Sequence, residues 1–231
     1  MKNDLRSIGL ILALSAFLGP AVSRGQELSV RPEINKPYRD PNVERQAKSL
    51  ERETREVAGK RDGILAACRL EPEMDVADIG AGTGLFARPF ARKVAPGGKV
   101  YAVDIAQKFI DHILATCREQ GIDNVTGIVG SDTSTKLPPD SIDLAFICDT
   151  YHHFEFPQKM LASIHQALRS GGRLIIVDYR KEEGVSPEWI MKHVRADEKM
   201  VVEEVTDAGF KLLGKPDLLQ ENYLLEFEKV K

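Results

Sequence analysis

The stretch Val76-Ala77-Asp78-Ile79-Gly80-Ala81-Gly82-Thr83-Gly84 constrains this chain more than any other. Residues of strand character run into three glycines at alternate positions, and an amphipathic segment follows. Glycine is needed where the backbone takes positive φ or where a ligand must approach it closely. In an open parallel sheet such a turn lies beyond the carboxyl end of its strand, where ligands bind at the switch point. A dinucleotide pattern, G-x-G-x-x-G, would place its third glycine at 85, but Leu85 stands there. The spacing is instead G-x-G-x-G, with Asp78 two residues ahead of the first glycine. An acid at the mouth suits a ligand with a cationic group better than a pyrophosphate, which prefers bare amides at a helix N-terminus.

The chain around this turn alternates short apolar strands with amphipathic helices. Strands are expected at 75–79, 99–103, 125–129, 142–148 and 173–178, and helices at 85–94, 106–120 and 157–168. Pro96-Gly97-Gly98, Gly121, Pro138-Pro139 and Gly171-Gly172 punctuate them. That order implies a doubly wound, mostly parallel α/β sheet with helices on both faces. A helix at 197–208 and two closely connected strands, 210–213 and 223–230, should close one edge of a seven-stranded sheet with an antiparallel strand. Pro89 falls inside the helix after the glycine turn and should kink it or move its start earlier.

Composition narrows the function classes. The 231 residues are 42% hydrophobic and 29% charged, which fits one globular domain. Net charge is −3 with no basic stripe interleaved with aromatics, so nucleic acid is not an expected partner. Three cysteines, none at CxxC spacing, make neither a disulfide framework nor a structural zinc site. Asp149, Asp178 and His153 have the chemistry of metal ligands, but no ligand spacing supports a metal site and none is expected.

The N-terminus reads differently. Lys2 and Arg6 precede an apolar run from Ile8 to Leu18, then Gly19-Pro20 and small residues at Ala21 and Ser23. This is the pattern of a signal peptide over residues 1–23, cleaved or retained as an anchor. It implies an exported domain, or one held at the membrane through that segment alone. Residues 24–39, with Pro32 and Pro37, read as a linker or surface arm, and the main domain is expected over 40–231. A helix should begin with Asp40 as cap and Pro41 in its first turn, and a stripe from Val43 through Ala47, Leu50 and Thr54 to Val57 should continue it. Its charged face, Glu51 to Glu56, is either a solvated surface or a lid over the ligand site.

Taken together, the motifs of residues 74–178 resemble the core of a class I S-adenosylmethionine (SAM)-dependent methyltransferase of the type 11 or quinone-methyltransferase-like group. Asp78, Gly80, Ala81, Gly82, Thr83 and Gly84 match the family's first motif, which backs the methionine portion of the cofactor. Val100 to Asp104 match the second, so the resemblance implies that Asp104, with Ile105 beside it, receives the ribose hydroxyls. Ser131 and Asp132 match the position that meets the adenine amino group, although Ser-Asp-Thr-Ser also reads as a turn serving its own backbone. Asp149, after the fourth strand, falls in the loop that faces the methyl group, and residues 168–174 resemble the turn into the fifth strand.

The resemblance implies transfer of a methyl group from SAM to a small-molecule or lipid-like acceptor by in-line displacement. Because the sulfonium is already activated, alignment and desolvation can carry much of the catalysis. A general base is needed only for an acceptor that carries a proton near neutral pH. The candidates are Asp149, Tyr151, His152 and His153, with one of the adjacent histidines expected to face the cleft and packing as the competing role for both. His193 is a further candidate, and Trp189 either caps an apolar acceptor pocket or completes the core. Cys148 should pack as a small hydrophobe. A non-catalytic adenosyl-ligand binding protein is the alternative, and an NAD-linked oxidoreductase, against which Leu85 stands, is the third reading. The oligomeric state is open.

Overall fold

Hydrophobic alternation along the central strands divides the core in two. The computed structural model describes residues 26–230, so the signal or anchor segment expected at 1–23 lies outside the described residues. Val76, Ala102, Leu144, Phe146, Ile175 and Val177 face one helical layer. Ala77, Ile79, Val103, Ala145, Ile147 and Ile176, the neighbours in sequence, face the other. Strands covered on both faces must be apolar at every position, which is why they read as near-continuous apolar runs.

The strands are β1 (Val76–Ile79), β2 (Val100–Asp104), β3 (Val125–Val129), β4 (Ile142–Cys148), β5 (Leu168–Tyr179), β6 (Phe210–Gly214) and β7 (Asn222–Lys229). They form one sheet in the order β3-β2-β1-β4-β5-β7-β6. β1 to β5 are parallel, and β7 lies antiparallel between β5 and β6. The doubly wound architecture expected from the sequence is the one observed. The strand order reverses between β1 and β4, and the glycine turn leaves β1 at that point.

The helices are α1 (Val43–Leu50), α2 (Glu56–Gly59), α3 (Arg61–Ala67), α4 (Ala87–Val94), α5 (Gln107–Glu119), α6 (Pro157–Ala167), α7 (Glu188–His193) and α8 (Glu198–Asp207). Among the described residues, no helix is long and apolar enough to cross a membrane.

Three local expectations are corrected. Asn42, not Asp40, caps α1: its side chain accepts from Arg45 N at 2.9 Å, while Asp40 pairs with Lys108. The helix stops at Leu50 instead of running on to Val57. Arg55 folds back to donate to the Leu50 carbonyl at 2.7 Å, so an orphan C-terminal carbonyl is satisfied by a side chain from the next turn. Pro89 does not move the helix start earlier: α4 begins later than expected, at Ala87. That leaves Pro89 in the first turn, where a missing N–H costs no intrahelical bond. β5 is also longer than expected. It starts at Leu168, pairing with Ile142, and the ladder shifts register before Leu144 pairs with Arg173.

Candidate active site

The carboxyl ends of β1, β2 and β4 open into one cavity of about 260 Å³, and each end contributes an acid. Asp78 lies at the end of β1, Asp104 closes β2 and Asp149 follows β4. Gly80, Gly82 and Gly84 take φ of +73°, +52° and +82°. A side chain at Gly80 would also collide with Thr150, whose Cγ2 lies 2.2 Å from where a Cβ would stand. At Gly82 the nearest neighbour to such a Cβ, Leu50, is 3.6 Å away, so the loop there has ordinary clearance on its cavity side.

Asp104 is 8% exposed and held by backbone amides: Gly82 N donates to Oδ2 at 2.9 Å and Ala106 N to Oδ1 at 3.0 Å. Burial raises its pKa against those bonds. Each oxygen keeps a second lone pair, so the carboxylate is oriented without being saturated. Asp78 is buried further, at 3%, and its Oδ2 has no partner. Burial, then the nearby Asp104 charge, push its pKa up to about 7. Thr83 Oγ1 is a second buried atom without a partner. Buried polar atoms are nearly always paired, so orphans lining one cavity are the mark of a group that a ligand supplies. The cationic amine and hydroxyls of a nucleoside bearing an amino acid through sulfur, such as SAM, fit these donors and acceptors.

The other wall comes from dispersed pieces. Ser131 closes a small turn with Ser134, whereas Asp132 turns away from its own backbone. It accepts from Arg39 Nη2 at 2.6 Å and from Asn35 Nδ2 at 3.2 Å. Residues 26–39 therefore run along the domain face: Val30 N donates to the Glu155 carbonyl, and the Tyr38 ring meets His153 edge-on at 4.7 Å. Arg55 and Asp149 form a buried ion pair at 2.5 Å, and Asn222 Nδ2 donates to the second Asp149 oxygen at 2.6 Å. Asp149 lines the cavity with both oxygens engaged and does not stand free as a base.

Tyr151 is not at the cavity's surface. It is fully buried in the core on the α6 side, and its hydroxyl donates to Glu204 at 2.7 Å. The residues 151–153 form a 3₁₀ turn, in which successive side chains point about 120° apart. One therefore goes inward while two reach the cavity wall, so both His152 and His153 line it rather than one alone.

His152 Nδ1 pairs with Asp178 Oδ1 at 2.7 Å, and its backbone N donates to Asp178 Oδ2 at 3.0 Å. Burial alone would lower its pKa, but the charge and hydrogen bond of Asp178, with Asp149, raise it. His153 has no such acid. Burial first, then His152, His193 and Arg31, hold its pKa down to about 2, and its buried Nδ1 is unpartnered. His193 joins them from α7, with ring centroids 5.1 Å from each of the other two. Tyr179 and Trp189, edge-on at 5.1 Å, complete this side, with half of Trp189 exposed. Cys148 also lines the cavity, and burial raises its thiol well above the ordinary range, which keeps it protonated.

Sequence reasoning missed Arg55, Asn35, Tyr38 and Tyr179. Arg55 lies in a run of charges with nothing local to single it out, and Tyr38 in an arm between prolines. Only Tyr38, the single aromatic in residues 24–39, was a signal.

Residues 77–176 match the family described as a methyltransferase domain. Over 126 residues the chain is 31% identical to an uncharacterized methyltransferase, YcgJ, of Bacillus subtilis, covering 54% of this chain and 48% of that one. It is 29% identical to a ubiquinone/menaquinone biosynthesis C-methyltransferase of Pectobacterium carotovorum over 46% of this chain and 43% of the relative. The chain thus spans about half the length of these curated relatives. Among solved structures, a SAM-dependent methyltransferase from Aquifex aeolicus shares the fold at a TM-score of 0.72 and 22% identity, over 80% of this chain and 98% of that one. The [4+2]-cyclase SpnF shares it at 0.65 and 18% identity, over 75% and 81%. Residues 77–176, which carry the glycine turn and the acids at the ends of β1, β2 and β4, are thus similar to a methyltransferase domain.

Proposed function

We propose that this protein transfers a methyl group from SAM to a small-molecule acceptor in the cavity at the sheet's switch point. The observation that carries the reading is the unpartnered Asp78 oxygen beside amide-oriented Asp104, on either side of a positive-φ glycine turn. When bound, SAM supplies a methyl group already activated on a sulfonium.

The chain's own residues then do three things. Asp104 receives the ribose hydroxyls through charge-assisted bonds, about twice as strong as neutral ones. Asp78 receives the amino group, while Gly80 to Gly84 and Ile105 give the backbone wall and Ser131 and Asp132 border the adenine. Tyr38, Tyr179 and Trp189 shape an apolar compartment for the acceptor, and the histidine wall meets its proton-bearing atom. Desolvation by those rings and alignment of the acceptor supply the rate. A lipid-like acceptor is the variant favoured by the exposed Trp189 and by the apolar run at 8–18, which would deliver the domain to the cell exterior or hold it at a membrane. In this reading that segment is the chain's membrane contact.

Calorimetric titration of the full chain with SAM, S-adenosylhomocysteine and NAD, alongside Asp104→Ala, tests the cofactor. Saturable binding of both adenosyl ligands, absent for NAD and lost in the variant, is expected. A methyl-transfer assay over hydroxyl, thiol, amine and quinol acceptors then separates an enzyme from a binding protein, a distinction the fold cannot make because a neighbour bearing it is a cyclase. Tight adenosyl binding with no turnover on any acceptor class would overturn methyl transfer.

A further inference from the structure

Three of the chain's five histidines meet on one wall of the cavity. His152, His153 and His193 each offer a ring nitrogen within 4.8 Å of those of the other two. His152 and His153 come from the 3₁₀ turn after β4, and His193 from the last residue of α7, so segments on either side of β5 in the chain bring them together. From this we infer that the three histidines form a binding site for a borderline divalent transition ion of the zinc type, with one coordination position open to the cavity.

The surroundings are those of a ligand set. Imidazole nitrogens suit zinc, cobalt and nickel, and three protein ligands with an open fourth position is the arrangement of catalytic rather than structural zinc. His152 already has its second ring nitrogen fixed: Nδ1 meets Asp178 Oδ1, and Asp178 is in turn held by the backbone N–H groups of His152 and Tyr179. A carboxylate on the far nitrogen is the usual orienting partner of a metal-bound histidine, and it leaves Nε2 for the ion. His153 carries a buried Nδ1 with no partner, an orphan that packing alone does not explain. Arg31 donates to the carbonyls of Lys192 and His193 and so pins the end of α7.

Ligation at zinc–nitrogen distances of about 2.0–2.1 Å puts the nitrogens roughly 3.3 Å apart, so the cluster must tighten on binding. The half-buried His193, at the end of a six-residue helix, is the member placed to close. That the open position faces the acceptor opposite the methyl donor rests on the methyl-transfer reading. The binding of the ion does not.

The test uses the full chain, purified without a histidine tag, stripped with chelator and titrated with Co²⁺ and then Zn²⁺. One ion per chain is expected, with the visible absorption of four-coordinate Co²⁺ and its displacement by Zn²⁺. His193→Ala, on the accessible helix, should remove the absorption, and Asp178→Asn should weaken binding by about 10–100-fold. His112→Ala, outside the cluster, should change nothing. Melting curves and S-adenosylhomocysteine binding are read on each sample. A folded protein that binds the adenosyl ligand but no Co²⁺ overturns the metal site alone, as does Co²⁺ binding untouched by His193→Ala. Ion binding without adenosyl binding supports the site and removes the methyl-transfer reading.

Discussion

The cavity has two walls built in different ways. One is a single contiguous segment, Asp78 to Gly84, joined by Asp104 from the next strand, and it presents backbone amides and two acids. The other is assembled from residues 35–55, 130–134, 148–154, 178–193 and Asn222, and it presents side chains tied to each other: Arg55 to Asp149, Arg39 to Asp132, His152 to Asp178. Hydrogen bonds tie the first wall to the neighbouring strand: Gly80 N and Ala81 N donate to the Val103 carbonyl, and Gly82 N to Asp104. The second depends on ion pairs between segments far apart in sequence. A common cofactor suits a wall of the first kind, and a particular acceptor suits one of the second, because side chains can be exchanged without altering the sheet.

Perturbing the two walls should separate stability from binding. Arg55→Ala should have the largest effect, since it leaves Asp149 buried beside Asn222 without its cation. We expect a loss of about 3–5 kcal/mol in stability by denaturant unfolding. If the loss is below about 1 kcal/mol, the pair behaves as a surface bridge and the contrast between the walls fails. Asp104→Ala should act the other way, leaving the fold intact while adenosyl affinity, read by calorimetry, drops by about a hundredfold or more through loss of two charge-assisted bonds. Gly80→Ala combines positive φ with a collision at Thr150 and should lower stability by about 2–4 kcal/mol in thermal melts. Gly121→Ala, at φ +65° with open space around it, should cost only about 1–2 kcal/mol.

A pH series sharpens the same contrast on the first wall. The Asp78 value of about 7 in the folded chain lies above its ordinary 3.8, so the folded state binds the proton more tightly than the unfolded one. Stability of the ligand-free protein should therefore fall as pH rises from about 4 to about 7 and then level off. Affinity for the cationic cofactor should move oppositely, dropping by up to about tenfold per unit as pH falls below 7. Asp78→Asn should flatten both profiles; profiles unchanged in that variant would mean that another group titrates. The smallest effect is expected at Arg39→Ala. Its guanidinium is half exposed at Asp132, so stability should change by about 0–1 kcal/mol. A tenfold loss of adenosyl affinity there would instead make the arm part of the cofactor site.

Much of the first wall was legible in the amino-acid sequence. The glycines, Asp78 and Asp104 could be read because strand, turn and acid follow one another at fixed spacing, and such local patterns survive in one dimension. The second wall was legible only in part. His152, His153, His193 and Trp189 stood out as residue types, yet nothing local distinguished Tyr151, which the 3₁₀ turn sends into the core, from the histidines beside it. Helix boundaries shifted for a related reason. Leu50 ends α1 because Arg55 caps its carbonyl on the way to Asp149, a partner far along the sequence.

The sequence by itself determined the doubly wound sheet, its glycine turn and the acids at its strand ends, since hydrophobic period and backbone geometry are properties of neighbouring residues. Only the tertiary structure decided which charges are paired, that residues 26–39 lie across the Asp132 loop, and that three histidines share one wall. Those are meetings between segments, and their energies depend on burial and distance that no local pattern encodes.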